Sequence, residues 1–199
     1  MQRVLVIDHR DSFVFNLVDD LARAGASVDV LRSDAPLEAV ERRVNELEPD
    51  LVVLSPGPGK PEDSGVMLPL LETREDLRYL GVCLGMQAIA LTSGGVVDRA
   101  PETVHGRASE VRHDGSTLFE GIPSPFPAGR YHSLCIDRVP DELEVLARTH
   151  DDIPMVVRHR RLPRIGVQFH PESILTPFGP RLLSNLTEAL NANSKGVPA

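Results

Sequence analysis

The sequence predicts an α/β fold with a central, mostly parallel, doubly wound sheet and an additional small antiparallel portion. Short apolar segments of strand length alternate with segments of helical periodicity through the first half of the chain. Strands this apolar are typical of a parallel sheet that helices cover on both faces. The 199 residues can enclose one large core, so we expect a single domain over residues 1–192 and a frayed tail over 193–199.

Three strands are expected early in the chain. They are VLVI (4–7), SVDVL (27–31) and LVVL (51–54). Apolar residues at helical spacing follow the first strand, and Asp11 or Ser12 can cap that helix while Gly25 can end it. The second strand precedes an amphipathic helix over residues 37–47. Strand–helix–strand repetition of this kind predicts parallel pairing with right-handed crossovers.

In the second half of the chain, the predicted secondary-structure segments are shorter and follow one another more closely. Between about 96 and 168, strand-like segments alternate with turns, including one at His113-Asp114-Gly115. We therefore expect this part to be mixed and partly antiparallel. A last amphipathic helix is predicted from the spacing of Leu182, Leu183, Leu186, Ala189 and Leu190.

Composition narrows the classes of partner. The net charge is −8, and the basic residues are scattered, which argues against nucleic acid and favours a small molecule or a protein. The N-terminal MQRVLVID lacks a signal-peptide pattern, and no apolar run approaches the roughly 20 residues of a membrane span. We expect a cytoplasmic protein with no membrane contact. Its two cysteines should then be free thiols.

One of these cysteines stands in GVCLGMQAIA, residues 81–90. Cys83 lies between Gly81 and Gly85, after a predicted strand and before a predicted helix, which is the thiol version of a nucleophile elbow. Such a turn exposes the side chain at the carboxyl end of the sheet, and the helix N-terminus favours a thiolate. The pentapeptide alone is equally compatible with a buried structural cysteine. Cys135 has no glycine elbow and is expected to pack in the core.

A base for Cys83 is expected in GVQFHPES, residues 166–173. Pro171 favours an extended conformation at His170, and residues two apart on an extended segment share a face, so Glu172 can lie beside His170. His170 would take the proton of Cys83 and Glu172 would fix its tautomer. We expect surface or structural roles for His9, His113, His150 and His159, and leave His105 and His132 open.

The loop LSPGPGKPEDSG, residues 54–65, follows the third strand. Gly57 and Gly59 let the backbone approach a ligand and direct N–H groups at a developing oxyanion, as the N–H of Leu84 also can. Taken alone, the PGPG segment is equally compatible with an ordinary rigid turn.

These segments, with GRYHSL (129–134), closely resemble the class I, triad-type glutamine amidotransferases over nearly the whole chain. IDHRDSFVFNLV, VHGR and RYHSL narrow the resemblance to subunits that serve chorismate-using enzymes, namely anthranilate synthase component II and the amidotransferase subunit of aminodeoxychorismate synthase. The resemblance implies that Cys83 attacks the side-chain amide of L-glutamine to form a thioester. Ammonia would pass to a larger, chorismate-binding synthase subunit, and we favour anthranilate as its product.

The resemblance also implies a glutamine pocket. Its members would be the backbone of Gly57, Pro58 and Gly59, together with Leu84, Gln87, Ser133 and Leu134. It implies no metal or organic cofactor in this subunit, with magnesium expected in the synthase partner. Met86 departs from the pattern because it stands where the family usually has histidine, and DHRDSF departs from the more common D-N-x-D-S-F. Arg107 of VHGR is our candidate for a partner contact, although it can equally be a solvated loop residue.

Two rival classes of protein remain. A cysteine-type α/β-hydrolase would share the elbow, but its acid precedes its histidine, whereas Glu172 follows His170. A catalytically silent binding subunit is disfavoured because all three residue types of the triad are present.

Overall fold

The helices and strands of this computed structural model lie within residues 1–192, the residues that the structure describes. The predicted tail, 193–199, lies outside that range. The strands are β1 (Arg3–Asp8), β2 (Ser27–Arg32), β3 (Leu51–Leu54), β4 (Tyr79–Val82), β5 (Val96–Arg99), β6 (Arg107–His113), β7 (Phe126–Arg130), β8 (Leu134–Arg138), β9 (Leu143–Thr149), β10 (Pro154–His159) and β11 (Arg164–Val167). The helices are α1 (Val14–Arg23), α2 (Leu37–Leu47), α3 (Met67–Thr73), α4 (Leu84–Thr92) and α5 (Gly179–Ala192), with short 3₁₀ turns at Pro61–Asp63 and Thr117–Phe119.

A nine-stranded sheet forms the centre of the molecule, in the order β2-β1-β3-β4-β11-β10-β9-β6-β7. The five strands from β2 to β11 pair in parallel. The remaining four continue the same sheet with antiparallel pairing. Strands β5 and β8 form a separate antiparallel pair. The predicted α/β class, with its parallel centre and antiparallel additions, is confirmed.

Helices cover both faces of the parallel strands, as the apolar strand segments predicted. Along β1, Val4 and Val6 pack with residues of α1 and α5, whereas Leu5 and Ile7 pack with residues of α2, α3 and α4. All four side chains are fully buried. Alternate residues of a strand point to opposite faces, so one continuous apolar run fills two cores. Each such side chain contributes about 1.5–3 kcal/mol through its burial.

The start of α1 differs from the prediction. Phe13 occupies the N-cap and no side chain caps the helix. Asp11 Oδ2 instead accepts a hydrogen bond from the backbone N–H of Phe13 at 2.9 Å, so this carboxylate closes a turn one residue before the helix. The cap predicted at Asp11 or Ser12 is therefore wrong. Gly25 follows the helix with a φ of 91°, a left-handed conformation that suits glycine.

The order of the central strands brings the sequence motifs together. Strands β3, β4 and β11 are adjacent and parallel, so their carboxyl ends share one edge of the sheet. β3 leads into the PGPG loop, β4 leads into Cys83, and β11 leads into the segment with His170. Three segments far apart in the sequence therefore meet at one edge.

Candidate active site

The turn between β4 and α4 holds Cys83 in a conformation that few residues adopt. Its φ is 51° and its ψ is −99°, and a positive φ is costly for a residue with a side chain. The flanking glycines allow the close approach that this turn requires. A Cβ on Gly81 would lie 2.4 Å from the carbonyl carbon of Gly85, and one on Gly85 would lie 2.3 Å from the carbonyl oxygen of Leu54.

His170 connects Cys83 to Glu172. The Nδ1 atom of His170 lies 2.6 Å from Oε1 of Glu172, and the Cys83 side chain is close enough to raise the pKa of the imidazole. All three residues are buried. The structure therefore brings the nucleophile, base and orienting acid of the sequence prediction into one continuous line of contacts.

The charge state of His170 follows from its two partners. Burial lowers the pKa of His170, but hydrogen bonds and charge interactions with Cys83 and Glu172 outweigh it and raise the pKa to about 10. At neutral pH the imidazole is therefore cationic, and it faces the sulfur on one side and a carboxylate on the other. Cys83 therefore lies beside a positive charge.

A second polar group contacts the sulfur. Gln168 Nε2 lies 3.5 Å from Cys83 Sγ, and Gln168 Oε1 accepts a hydrogen bond from Gln87 Nε2 at 3.2 Å. Gln87 Nε2 also donates to the carbonyl of Leu134 at 3.1 Å. Gln168 was not predicted as a site residue. It lies two residues before His170 on an extended segment, so the same alternation that places Glu172 beside His170 also places Gln168 on that face.

The PGPG loop is anchored by His9. The backbone N–H of His9 donates to Ser55 Oγ at 2.8 Å, and its ring Nδ1 hydrogen-bonds Ser33 Oγ at 2.6 Å. Gly57 lies against His9 so closely that a Cβ there would be 2.4 Å from the His9 carbonyl oxygen. Gly59 has a φ of 88°. Together these contacts hold the loop beside the carboxyl end of β4.

Leu84 begins α4 directly after Cys83. The first N–H groups of a helix have no partner within the helix, so the Leu84 N–H is available for an oxyanion beside the sulfur. Ser133 is exposed and its carbonyl accepts from the N–H of Ala100 at 2.8 Å. The Leu134 carbonyl already accepts a hydrogen bond from Gln87. A contact between Leu134 and a bound glutamine substrate therefore has to involve the Leu134 N–H or side chain.

Aromatic rings pack around His170 on its outer side. The ring of Tyr131 lies 5.0 Å from that of His170, and the ring of Phe13 lies 5.6 Å from that of Tyr131. Neither the Tyr131–His170 contact nor the Phe13–Tyr131 contact was predicted, because nothing in the spacing of RYHSL or DSFVF indicates that these loops meet. The rings limit the access of water to the imidazole.

The family model for the class I glutamine amidotransferases matches residues 5–189. The chain belongs to this family. Anthranilate synthase component 2 of Vibrio parahaemolyticus is 42% identical over 196 residues, which cover 98% of this chain and 100% of that protein. The aminodeoxychorismate synthase of Streptomyces griseus is 49% identical over 191 residues, or 94% of this chain, but this chain spans only 26% of that protein.

A solved glutamine amidotransferase from Thermotoga maritima shares the fold of this amidotransferase. Its TM-score is 0.72 at 19% identity, with 96% of this chain and 98% of the other covered. The family match confirms the resemblance found in the sequence. It also favours an amidotransferase over a cysteine-type α/β-hydrolase as the protein class to which the elbow at Cys83 belongs.

Cys135 and three of the histidines, His113, His150 and His159, have ordinary structural surroundings. Cys135 lies in the core, where burial raises its pKa. His113 hydrogen-bonds the carbonyls of the Ile122-Pro123 segment, and His159 accepts from two backbone N–H groups of its own turn. His150 is exposed beside Asp151. The structural roles expected for these histidines agree with these contacts.

The packing of Met86 accounts for an apolar residue at this position. It is fully buried, and a Cβ on Gly166 of β11 would lie 2.7 Å from Met86 Cγ. The residue that stands where the family usually has histidine therefore fills the space between α4 and the sheet.

Within residues 1–192 there is no cluster of three or more side chains that could hold a metal ion. None of the helices that the structure describes is both long enough and apolar enough to cross a membrane.

Proposed function

We propose that this amidotransferase hydrolyses L-glutamine through a thioester on Cys83 and supplies the ammonia to a chorismate-binding synthase subunit, that of anthranilate synthase in tryptophan biosynthesis. The observation that carries the proposal is the line of contacts from Cys83 through His170 to Glu172 at the turn before α4. Acyl transfer from an amide requires a nucleophile, a base that shares its proton and a group that orients the base.

In the first half of the reaction, the Cys83 thiolate forms a bond to the side-chain amide carbon of glutamine, and the carbonyl electron pair moves onto oxygen. The backbone N–H groups of Leu84 and of the loop at Gly57 and Gly59 are proposed to bind this oxyanion. The imidazolium of His170 gives its proton to the departing nitrogen. The carbon–nitrogen bond breaks, ammonia leaves, and a γ-glutamyl thioester remains.

In the second half, water attacks the thioester. An acylated sulfur carries no negative charge, so the burial of His170 now favours its neutral form. Neutral His170 takes a proton from the attacking water, glutamate forms, and Cys83 leaves as the thiolate. The carboxylate of Glu172 stabilises the imidazolium each time it appears.

The proposed glutamine pocket has the members that the resemblance implied. They are Gly57, Pro58, Gly59, Leu84, Gln87, Ser133 and Leu134. We propose no metal or organic cofactor for this subunit, and magnesium for the synthase partner. Both cysteines are free thiols, which persist in reducing compartments, and this supports a cytoplasmic location.

Exposed apolar side chains near the site support a protein partner. Phe13 is 39% exposed, Phe15 71% and Ile174 95%, and Phe13 lies 6.3 Å from the His170 ring. An exposed aromatic ring beside a reactive site, as Phe13 is, is typical of a surface that another chain covers. Arg107 is exposed and pairs with Glu102, so its proposed role at the interface requires this pair to open or to extend to the partner.

Reconstitution tests the proposal. The chain is mixed separately with an anthranilate-forming and an aminodeoxychorismate-forming synthase subunit, with glutamine and chorismate, and glutamate and aromatic product are measured together. We expect glutamate release to accelerate with the anthranilate-forming subunit and to match product formation. Equal glutamate release with and without either subunit would remove the partner from the proposal. A folded complex that uses ammonia but never glutamine would identify a silent binding subunit.

Aminodeoxychorismate formation is the second candidate. The 49% identity to the Streptomyces griseus aminodeoxychorismate synthase supports it. Activation by the aminodeoxychorismate-forming subunit alone would select this function over the first.

A further inference from the structure

A chain of hydrogen bonds runs from a buried arginine to the sulfur of Cys83. We infer that Gln168 is a positioning residue for this nucleophile: its side-chain N–H groups face the sulfur and stabilise the thiolate, and His132 holds the chain that fixes this orientation. The inference rests on the proposed function only in taking Cys83 as the nucleophile.

The last link of the chain is fully enclosed. Gln168 is 0% exposed, and its Nε2 atom lies 3.5 Å from Cys83 Sγ. A buried amide keeps its place only if its polar atoms find partners. An N–H donor that faces an anion is also stronger than one that faces a neutral atom. Gln168 therefore stabilises the thiolate specifically.

The orientation of the Gln168 amide follows from a backbone carbonyl. The Leu134 carbonyl can only accept, so Gln87 must direct its NH₂ group towards it. The same NH₂ group lies 3.2 Å from the Gln168 amide, so Gln168 must present its oxygen there. Its own NH₂ group is left facing Cys83. The amide cannot reverse without breaking both contacts.

His132 holds the Leu134 carbonyl from the other side. Arg130 Nε donates to His132 Nε2 at 2.9 Å, and a guanidinium can only donate. The ring proton therefore lies on Nδ1, which donates to the Leu134 carbonyl at 2.8 Å. Burial and the charge of Arg130 lower the pKa of His132 to about 4, so the ring stays neutral and in this tautomer at neutral pH.

Arg130 is buried, and within residues 1–192 its side chain forms no ion pair with a carboxylate. Its Nη1 donates to Ser109 Oγ at 3.1 Å, while its Nη2 has no hydrogen-bond partner within residues 1–192. A buried cation that makes so few contacts is costly for stability. Arg130 nevertheless has a role here, because its hydrogen bond to His132 sets the tautomer on which the remaining hydrogen bonds to Cys83 depend.

The test is the pH profile of Cys83 alkylation by iodoacetamide in the absence of glutamine, over about pH 5 to 9. The background is Cys135→Ser, so that alkylation reports one thiol. Gln168→Met keeps the volume of the side chain and removes the N–H donor. We expect the midpoint of the profile to move up by about one pH unit, which makes alkylation about tenfold slower below the midpoint. Superimposable profiles in a folded Gln168→Met variant would overturn the inference.

Tyr79→Phe is the matched control, because Tyr79 is equally buried and its hydroxyl donates to two carbonyls at the other end of β4. It should lower the thermal midpoint without moving the alkylation profile. A Tyr79→Phe profile that moves as far as that of Gln168→Met would also overturn the inference, because the shift would then report lost stability.

A second pair of variants tests the chain further from the sulfur and serves if Gln168→Met does not fold. His132→Leu removes the donor to Leu134 and should move the midpoint up by a smaller amount. His132→Asn places an amide near the position of Nδ1 and should restore the parent profile. Identical profiles for the two His132 variants would contradict the inference. Alkylation needs no glutamine turnover, so these results stand apart from a failure of the proposed function.

Discussion

Nδ1 of His170 and Oε1 of Glu172 are 2.6 Å apart, and their side chains are 5% and 0% exposed. The second carboxylate oxygen, Oε2, has no hydrogen-bond partner in the described part of the chain. Within residues 1–192, the Glu172 side chain therefore makes one hydrogen bond, to the imidazole. A buried carboxylate in this position orients the ring and stabilises its cation.

The first prediction separates base from orienting acid. His170→Ala removes the group that exchanges protons with Cys83 and should lower glutamine-dependent activity by about 10²–10⁴. Glu172→Ala leaves an imidazole that can still reach the sulfur and should retain more activity. The measurement is kcat/KM for glutamate release with the synthase partner present. If Glu172→Ala were the more severe change in a folded protein, the two roles would be reversed.

The second prediction concerns the ammonia source. Cys83→Ser should abolish aromatic product formation from glutamine and leave formation from added ammonium salts intact, because only the nucleophile is lost. Cys135→Ser is the control and should stay within a few-fold of the parent, since Cys135 is a buried thiol whose pKa is raised by burial. Substantial glutamine use by Cys83→Ser would end the nucleophile proposal.

The third prediction is a titration of His170. Burial lowers its pKa, and the Cys83 and Glu172 contacts raise it to about 10, so the imidazolium should persist at neutral pH. Cys83→Ser removes one raising contact and keeps the burial, so the titration midpoint must fall. NMR of the histidine ring nitrogens measures both midpoints. A midpoint that is unchanged in Cys83→Ser would show that the sulfur does not stabilise the cation.

The fourth prediction concerns the elbow. Gly85→Ala places a Cβ against the backbone oxygen of Leu54, so α4 must move and carry Cys83 with it. A displacement of about 1 Å at a reactive group can lower the rate about 10²-fold. Gly115→Ala is the control: its Cβ meets no atom within 4 Å at a φ of 79°, so it should lose stability and keep activity. Equal activity for the two variants, measured as kcat/KM with the partner, would show that the elbow tolerates movement.

Much of this architecture follows from the sequence, because local patterns and chain order determine it. The apolar runs of β1 and β3 and the glycines around Cys83 predicted a doubly wound sheet with an elbow at its edge. The pairing of His170 with Glu172 followed from a period of two. Each of these inferences uses residues that are close together in the chain.

Contacts between distant segments were not predictable in the same way. Gln87 and Gln168 are 81 positions apart, and the packing of Phe13 and Tyr131 around His170 joins three separate loops. The predicted cap of α1 was wrong for a different reason. The Asp11 carboxylate accepts a hydrogen bond from the N–H of Phe13, the residue just before the helix, and not from an N–H within the helix. Side chains that bridge loops leave no periodic signal in a single sequence.

Trapping the covalent intermediate tests directly whether Cys83 is the nucleophile. The chain and its synthase partner are mixed with glutamine, quenched in acid, digested and examined by mass spectrometry. We expect a γ-glutamyl adduct on the peptide that contains Cys83, released by hydroxylamine and absent from Cys83→Ser. Turnover of glutamine without any adduct on Cys83, or with the adduct on the peptide that contains Cys135, would contradict it.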